Sequence, residues 1–294
     1  MSEKTSIELT DAIEKCNKIM KDIKNSINEN DKFYKKVESK QNNFFYDPDS
    51  SPAAWEHYLK YYTKSRCENH WKLIEEFLLV NNCLSTSTDN LRLNGTRLLA
   101  VMRDVNGTLC PEFELGGDCD FNFNWIKYNK FANFFYNEFY CEKKKEWNDF
   151  NVYCDCIKIL NLCNKMHHTL LNFSIMPVTG GMNNRKNNLP GSGVGGWLDR
   201  LDRFIYFLDS YYKEEKDGEI FLIENNNKKH LEDFLKTFKN GINGYCKVIY
   251  FIEDSTFVKE LIESGKNPLR TAKNVLDYMY LAMKYWKLKR SMFV

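Results

Sequence analysis

The sequence predicts a mainly α fold with a small β component (α+β), in which a helical body surrounds a short hairpin and one buried strand. Apolar residues recur every three or four positions over several long stretches, which is typical of amphipathic helices. The pair Asn94-Gly95 stands between two short apolar runs, which is typical of a hairpin turn. A further apolar run ends at Pro177 and indicates a buried strand.

The composition indicates a compact chain. Its 294 residues are 43% apolar and 15% aromatic, a content that disordered chains lack. We find no internal repeat and no clear linker, so we expect a single globular domain over residues 1–294, to which residues 1–40 could add a peripheral helical arm. The formal net charge of +2 argues against a nucleic-acid coat protein and against a polybasic membrane binder.

The N-terminus shows no charged segment followed by an apolar run, and no stretch approaches the roughly 18 continuous apolar residues of a membrane span. We therefore expect a cytoplasmic protein whose ten cysteines are thiols. Cys154 and Cys156 stand too close in sequence for a zinc knuckle. We assign no metal ligands, although the cofactor is unknown and a divalent metal is compatible with the sequence.

In the N-terminal half, apolar spacing predicts helices over residues 4–40 and 53–81, with a turn at residues 47–52 between them. The hairpin around residues 94–95 follows. Residues 116–120 contain two adjacent glycines and two aspartates, so they are expected to break the chain and form an acidic turn, with a metal loop as the alternative.

In the C-terminal half, the apolar run over residues 170–178 predicts the buried strand, and a break is expected at residues 241–244. The predicted helices cover residues 121–140, 151–165, 197–212, 228–238, 256–264 and 271–287. The strand and the helix over 197–212 therefore enclose a long connecting segment.

That segment, residues 177–197, is the chemically unusual part of the chain because it holds six of the 14 glycines. Glycine lets backbone N–H groups approach an anion at a helix N-terminus, and two basic residues would add charge for a phosphate. No established phosphate-loop motif is matched. The alternative is a long surface loop. The candidate ligand-binding residues are Thr179, Gly180, Gly181, Asn183, Asn184, Arg185, Lys186, Arg200 and Arg203.

Three residues are candidates for catalysis. Asp199 and Asp202 are three positions apart and would share a helix face, where they could bind a metal or act as acid and base. The alternative is a solvated first turn in which Asp199 pairs with Arg203. His168 could act as a general base close to the loop, and the alternative is an ordinary surface histidine.

The run over residues 172–184, together with residues 199–205, resembles bacterial proteins of a domain-of-unknown-function type. Weaker parts around Tyr245-Cys246 and Tyr278-Met279 fit the same pattern. The resemblance implies no activity, substrate or cofactor. It indicates that the loop and the helix that follows it form one unit.

Two functional hypotheses stay open. In the first, the protein is an intracellular bacterial effector or enzyme that acts on a nucleotide or RNA through the loop–helix unit at 177–203, in a phage-defence or toxin system. In the second, it is a non-enzymatic binding protein whose loop docks a partner protein or a small ligand, since no complete catalytic constellation is visible. Arg66 and His70 would share a helix face and hint at RNA cleavage, although their spacing is shorter than in helical ribonuclease domains. The oligomeric state is not indicated.

Overall fold

The computed structural model describes residues 3–26, 91–94, 97–100, 113–167, 169–177, 200–218, 232, 235–236 and 238–293. Within these residues the mainly α fold with a small β component is confirmed. The helices are α1 (Glu3–Ser26), α2 (Trp125–Phe139), α3 (Phe150–His167), α4 (Leu201–Tyr212), α5 (Gly241–Tyr250), α6 (Ser255–Gly265) and α7 (Ala272–Phe293). The strands are β1 (Leu91–Asn94), β2 (Arg97–Ala100), β3 (Phe113–Cys119), β4 (Tyr140–Cys141), β5 (Glu146–Trp147) and β6 (Phe173–Pro177).

Four strands form an antiparallel sheet in the order β1-β2-β3-β6. The predicted hairpin is confirmed as β1 and β2, in which Asn94 pairs with Arg97. The strand predicted over residues 170–178 is confirmed as β6, which covers Phe173–Pro177. The break predicted at the paired glycines is wrong, because Gly116 and Gly117 lie inside β3 and pair with Met176 and Ile175. Pairing with neighbouring strands overrides the weak intrinsic strand preference of glycine.

The hydrophobic core forms around α7. The ring of Phe121 lies 5.3 Å from that of Tyr278 and 5.8 Å from that of Tyr285, and all three side chains are fully buried. α1 packs against α7 and α3, and its apolar face belongs to the same core. Cys16 is 0% exposed and Ile23 1% exposed on that face. The described part of the predicted peripheral arm is therefore a core helix.

The chain around α5 differs from its prediction. Residues 241–244 begin this helix instead of breaking the chain, after Asn240 in the left-handed region. Gly244 permits the tight entry, because a Cβ at this position would overlap the carbonyl oxygen of Lys239. The predicted helix over 53–81, with Arg66 and His70, lies outside the described residues, as does the turn at 47–52.

No helix in the described ranges combines the length and the apolar character that a membrane crossing needs. The described cysteines are free thiols. Burial raises the pKa of the Cys156 thiol to about 12, and it also raises the pKa of Cys16, Cys163 and Cys246 above the ordinary value. These four groups behave as small apolar side chains in the core.

Candidate functional site

Residues 178–199, which carry most of the candidate ligand residues, lie outside the described residues, but both flanks of this segment are described. β6 leads into it and ends at Pro177, which pairs with Leu115 of β3. The chain returns at Arg200, which forms a β-bridge with Phe121. Leu115 and Phe121 are six positions apart, which is roughly 20 Å of extended chain. The two flanks are thus attached to one continuous stretch of backbone.

Arg200 and Asp202, at the returning flank, form a bidentate ion pair in which both side chains are fully buried. Arg200 Nε donates to Asp202 Oδ1 at 3.0 Å, and Nη2 donates to Oδ2 at 2.5 Å. Burial disfavours the charged guanidinium, but the adjacent carboxylate outweighs burial and raises the pKa of Arg200. The guanidinium therefore stays charged inside the core.

The same pair holds the C-terminal end of α6. Arg200 Nη1 donates to the carbonyl oxygen of Asn267 at 3.0 Å, and Nη2 reaches the carbonyl oxygen of Ser264 at 3.4 Å. Ser264 Oγ in turn donates to Asp202 Oδ2 at 2.7 Å. The last carbonyls of a helix lack partners within it and carry partial negative charge. The guanidinium therefore caps α6 and fixes it to the start of α4.

α4 and α6 approach closely where Gly265 meets Asp202. A Cβ at Gly265 would overlap the Asp202 carbonyl oxygen, so only glycine fits this contact. Arg203 Nη1 donates to the Gly265 carbonyl oxygen at 2.6 Å, and its guanidinium lies 4.9 Å from the centre of the Phe207 ring. Burial and the nearby Arg200 charge lower the pKa of Arg203. Arg203 is thus held internally as well.

A second buried polar group, which we call the Asp120 network, consists of Asp120, Ser174, Tyr285 and Lys289. Ser174 Oγ donates to Asp120 Oδ2 at 2.7 Å and lies 3.0 Å from the Tyr285 hydroxyl. Lys289 Nζ donates to Ser174 Oγ at 3.0 Å and lies 3.5 Å from Asp120 Oδ2. None of the four side chains is more than 1% exposed. Removing one partner from such a buried charge pair is strongly destabilising.

Asp120 connects this network to both flanks of the 178–199 segment. Its backbone N–H donates to the Asn172 carbonyl oxygen at 3.0 Å, immediately before β6. Its carbonyl oxygen accepts from the Leu201 N–H at 2.8 Å, at the start of α4. Within the described part of the chain, Asp120 Oδ1 has no hydrogen-bond partner. This oxygen can accept a hydrogen bond from a bound group or from solvent.

The N-terminus of α4 does not offer the open anion site expected from the sequence. The Leu201 N–H is bonded to Asp120, and the Arg203 N–H donates to Asp202 Oδ1 at 2.9 Å. The Asp202 carboxylate already occupies the positive end of the helix dipole. A phosphate at this helix end would have to displace the carboxylate.

The structure brings together three of the candidate site residues, Arg200, Asp202 and Arg203, around each other and around the end of α6. Asp202 therefore contacts Arg200 in the core and is not part of a solvated first turn. The other candidates lie outside the described residues: Thr179, Gly180, Gly181, Asn183, Asn184, Arg185, Lys186, Asp199 and His168. The neighbouring His167 is 4% exposed, and its Nδ1 lies 3.2 Å from the Phe121 carbonyl oxygen, so it is a core histidine.

Sequence reasoning missed the Asp120 network. Asp120 was expected in an acidic turn, and the last helix was expected to end at residue 287, before Lys289. One signal was present in the sequence. Lys289 follows Tyr285 by four positions and Trp286 by three, so it continues the apolar face of α7. A lysine on such a face indicates either a helix end or a buried partner.

Comparison of the chain with family models, with curated proteins and with solved structures finds no match. The resemblance to bacterial proteins of a domain-of-unknown-function type therefore stays an expectation. In the described ranges, no group of three His, Cys, Asp or Glu side chains is placed to hold a metal ion. Within the described residues, the protein is mainly α, and β3 together with Phe121 holds both flanks of the 178–199 segment.

Proposed function

We propose that this chain is an intracellular bacterial effector or enzyme that acts on a nucleotide or RNA through the loop–helix unit at 177–203. In this proposal the backbone N–H groups of Gly180 and Gly181 approach a phosphate, and Arg185 and Lys186 supply the positive charge. The neighbouring asparagines at 183 and 184 hydrogen-bond a base or sugar.

The observation that carries the proposal is the double attachment of the loop to residues 115–121. One flank pairs with Leu115 and the other with Phe121, and the Asp120 network lies between them. A loop with fixed ends loses less conformational freedom when it closes on a ligand than a loop with free ends does. Rigid supports of this kind are what precise binding sites require.

The buried contacts of Arg200, Asp202 and Arg203 give these residues a positioning role in the proposal. Their charged groups are engaged with one another and with α6, so they hold the helix end of the unit in place. Asp199 is then the remaining candidate carboxylate for a proton or for a divalent metal brought by the substrate phosphates.

The proposal is tested by equilibrium binding of labelled ATP, GTP and a short single-stranded RNA, with product analysis of the same mixtures. Loss of two phosphate contacts in Arg185→Ala/Lys186→Ala should weaken binding roughly tenfold or more, and more strongly at low salt. The matched control is Lys21→Ala/Lys24→Ala, which removes two exposed lysines of α1. It should bind like the wild type.

Absence of saturable binding to any of these ligands would overturn the proposal, as would an equal loss in the α1 control. The docking hypothesis predicts a different outcome. In that case Asp199→Asn and Arg185→Ala abolish capture of a partner, while the wild type binds no nucleotide or RNA and forms no product.

A further inference from the structure

A cleft of about 660 Å³ lies at the opposite end of α4 from Arg200 and Asp202. Tyr211 and Tyr212, the last residues of α4, form part of its wall. α4 has 12 residues, which is roughly 18 Å of helix, so the cleft is separate from the loop–helix unit. Its volume falls within the roughly 300–1,000 Å³ of small-molecule sites.

The wall of the cleft is aromatic and fixed. The rings of Tyr211 and Tyr212 pack edge to face with their centres 5.5 Å apart, and Phe238, a further wall residue, is 4% exposed. The Tyr212 hydroxyl donates to the Leu235 carbonyl oxygen at 2.8 Å. Burial raises the pKa of Tyr212, so this phenol stays neutral. The faces of such rings attract cations.

Among the described residues that line the cleft, most charged groups are carboxylates. Glu214, Glu215 and Glu232 line it, against the single ammonium group of Lys236 among the described lining residues. Within the part of the chain that the structure describes, none of these three carboxylates forms an ion pair or accepts a side-chain hydrogen bond. The nearby Asp209, by contrast, accepts from Lys213 at 2.6 Å. Among the described lining residues, three carboxylates thus stand against one ammonium group.

The backbone that carries two of these carboxylates is held by hydrogen bonds. The Glu214 N–H donates to the Tyr211 carbonyl oxygen at 3.1 Å, and the Glu215 N–H donates to that of Ser210 at 2.9 Å. The turn after α4 is therefore tied back to the helix. Groups on a rigid support bind a ligand with less ordering cost.

We propose that this cleft binds a small organic cation that carries amino or guanidinium groups. The cation lies against the aromatic wall and donates charge-assisted hydrogen bonds to the glutamates at its edge. An anionic ligand such as a nucleotide would be repelled here. The cleft is therefore independent of the proposed function. A cation in the cleft lies at the C-terminal end of α4, whereas the proposed phosphate-binding segment precedes the N-terminal end of the same helix.

The test is calorimetric titration of the full-length protein with spermidine, with agmatine and with an arginine-containing peptide. Spermidine should bind with one-to-one stoichiometry, and Glu214→Gln/Glu232→Gln should weaken binding at least tenfold. The matched control is Glu8→Gln/Glu14→Gln, which neutralises two exposed glutamates on α1. It should bind spermidine like the wild type. A peptide that binds while both free amines fail would overturn the small-molecule assignment.

Two further outcomes contradict the proposal. One is the absence of saturable binding by any of the cations. The other is an equal loss of spermidine binding in the cleft variant and in the α1 control, which would indicate unspecific attraction.

Binding of labelled nucleotide and RNA to the cleft variant separates this proposal from the proposed function. It should be unchanged, just as spermidine binding should be unchanged in Arg185→Ala/Lys186→Ala.

Discussion

Arg200 and Asp202 are two positions apart in the chain and form a wholly buried bidentate ion pair. Residues two apart on a helix do not face each other. The contact exists because Arg200 precedes α4 with non-helical backbone angles of −119° and 88°, so its side chain can reach the first turn. Further hydrogen bonds join the pair to the end of α6. The ion pair thus fixes the start of α4, which follows residues 178–199, to the end of α6.

We expect Asp202→Ala to lower the free energy of unfolding by about 3–5 kcal/mol, because it leaves the Arg200 guanidinium buried without its carboxylate. The measurement is urea denaturation followed by circular dichroism. Asp155→Ala is the control, since it removes one partner of the exposed pair with Lys158, and it should have little effect. A similar loss in both variants would contradict the role assigned to the buried pair.

The Asp120 network predicts coupling between positions 169 residues apart in sequence. Lys289→Met should destabilise the protein by about 3–5 kcal/mol, because Asp120 is then a buried carboxylate without a cation. Adding Asp120→Asn should recover part of this loss, with a coupling energy of about 0.5–3 kcal/mol in the double-mutant cycle. Lys284→Met on the same helix is the control, because its pair with Glu260 is partly exposed. Additive effects in the Asp120 cycle would show that the two groups do not interact.

Gly265→Ala should lower the free energy of unfolding by about 1–3 kcal/mol or more, since the added methyl group forces α6 away from α4. The change also moves the carbonyl groups that Arg203 binds. Lys259→Ala, at an exposed position of α6, is the control for a change of helix propensity alone. Equal thermal midpoints for the two variants would contradict the close approach.

Much of the fold could be predicted because apolar residues in long amphipathic helices recur every three or four positions. α3, α6 and α7 appear where apolar residues step by three or four, within a few residues of the predicted bounds except at the end of α7. β3 could not be predicted, because Gly116 and Gly117 have low strand propensity and are held by their pairing with β6. Pairing between strands that are distant in sequence cannot be inferred from the local sequence pattern.

The site was only partly predictable for a related reason. Arg200, Asp202 and Arg203 could be singled out because they follow an unusual loop, but their partners at the end of α6 are distant in sequence. The contact between Asp120 and Lys289 joins a strand end to the last helix. A charge run in sequence indicates where a site could be. Whether these charged side chains form ion pairs inside the protein depends on which element packs against them.

Alkylation should distinguish buried from accessible thiols. We expect Cys141 and Cys154, which are partly exposed, to react with iodoacetamide in the native protein before Cys16 and Cys246 do. Burial raises the pKa of the latter two, and the thiolate is the reactive form. Peptide mass spectrometry after a short pulse measures each site. Equal labelling of all four thiols in the native protein would contradict their placement, and labelling in urea is the control for intrinsic reactivity.

The same burial predicts that stability falls at alkaline pH. In the folded protein Cys156 keeps its proton up to about pH 12, whereas an unfolded cysteine loses its proton near pH 8.5. A raised folded pKa means that the folded state binds more protons in this window. The stabilisation is therefore complete below about pH 8.5 and is lost as the pH rises towards 12. Each buried thiol with a raised pKa lowers the free energy of unfolding by up to about 1.4 kcal/mol per pH unit in this window.

Urea midpoints measured between about pH 7.5 and pH 10 test this loss of stability. The decline should be shallower in Cys246→Ala, which removes one of the buried thiols, and an identical slope would count against its titration.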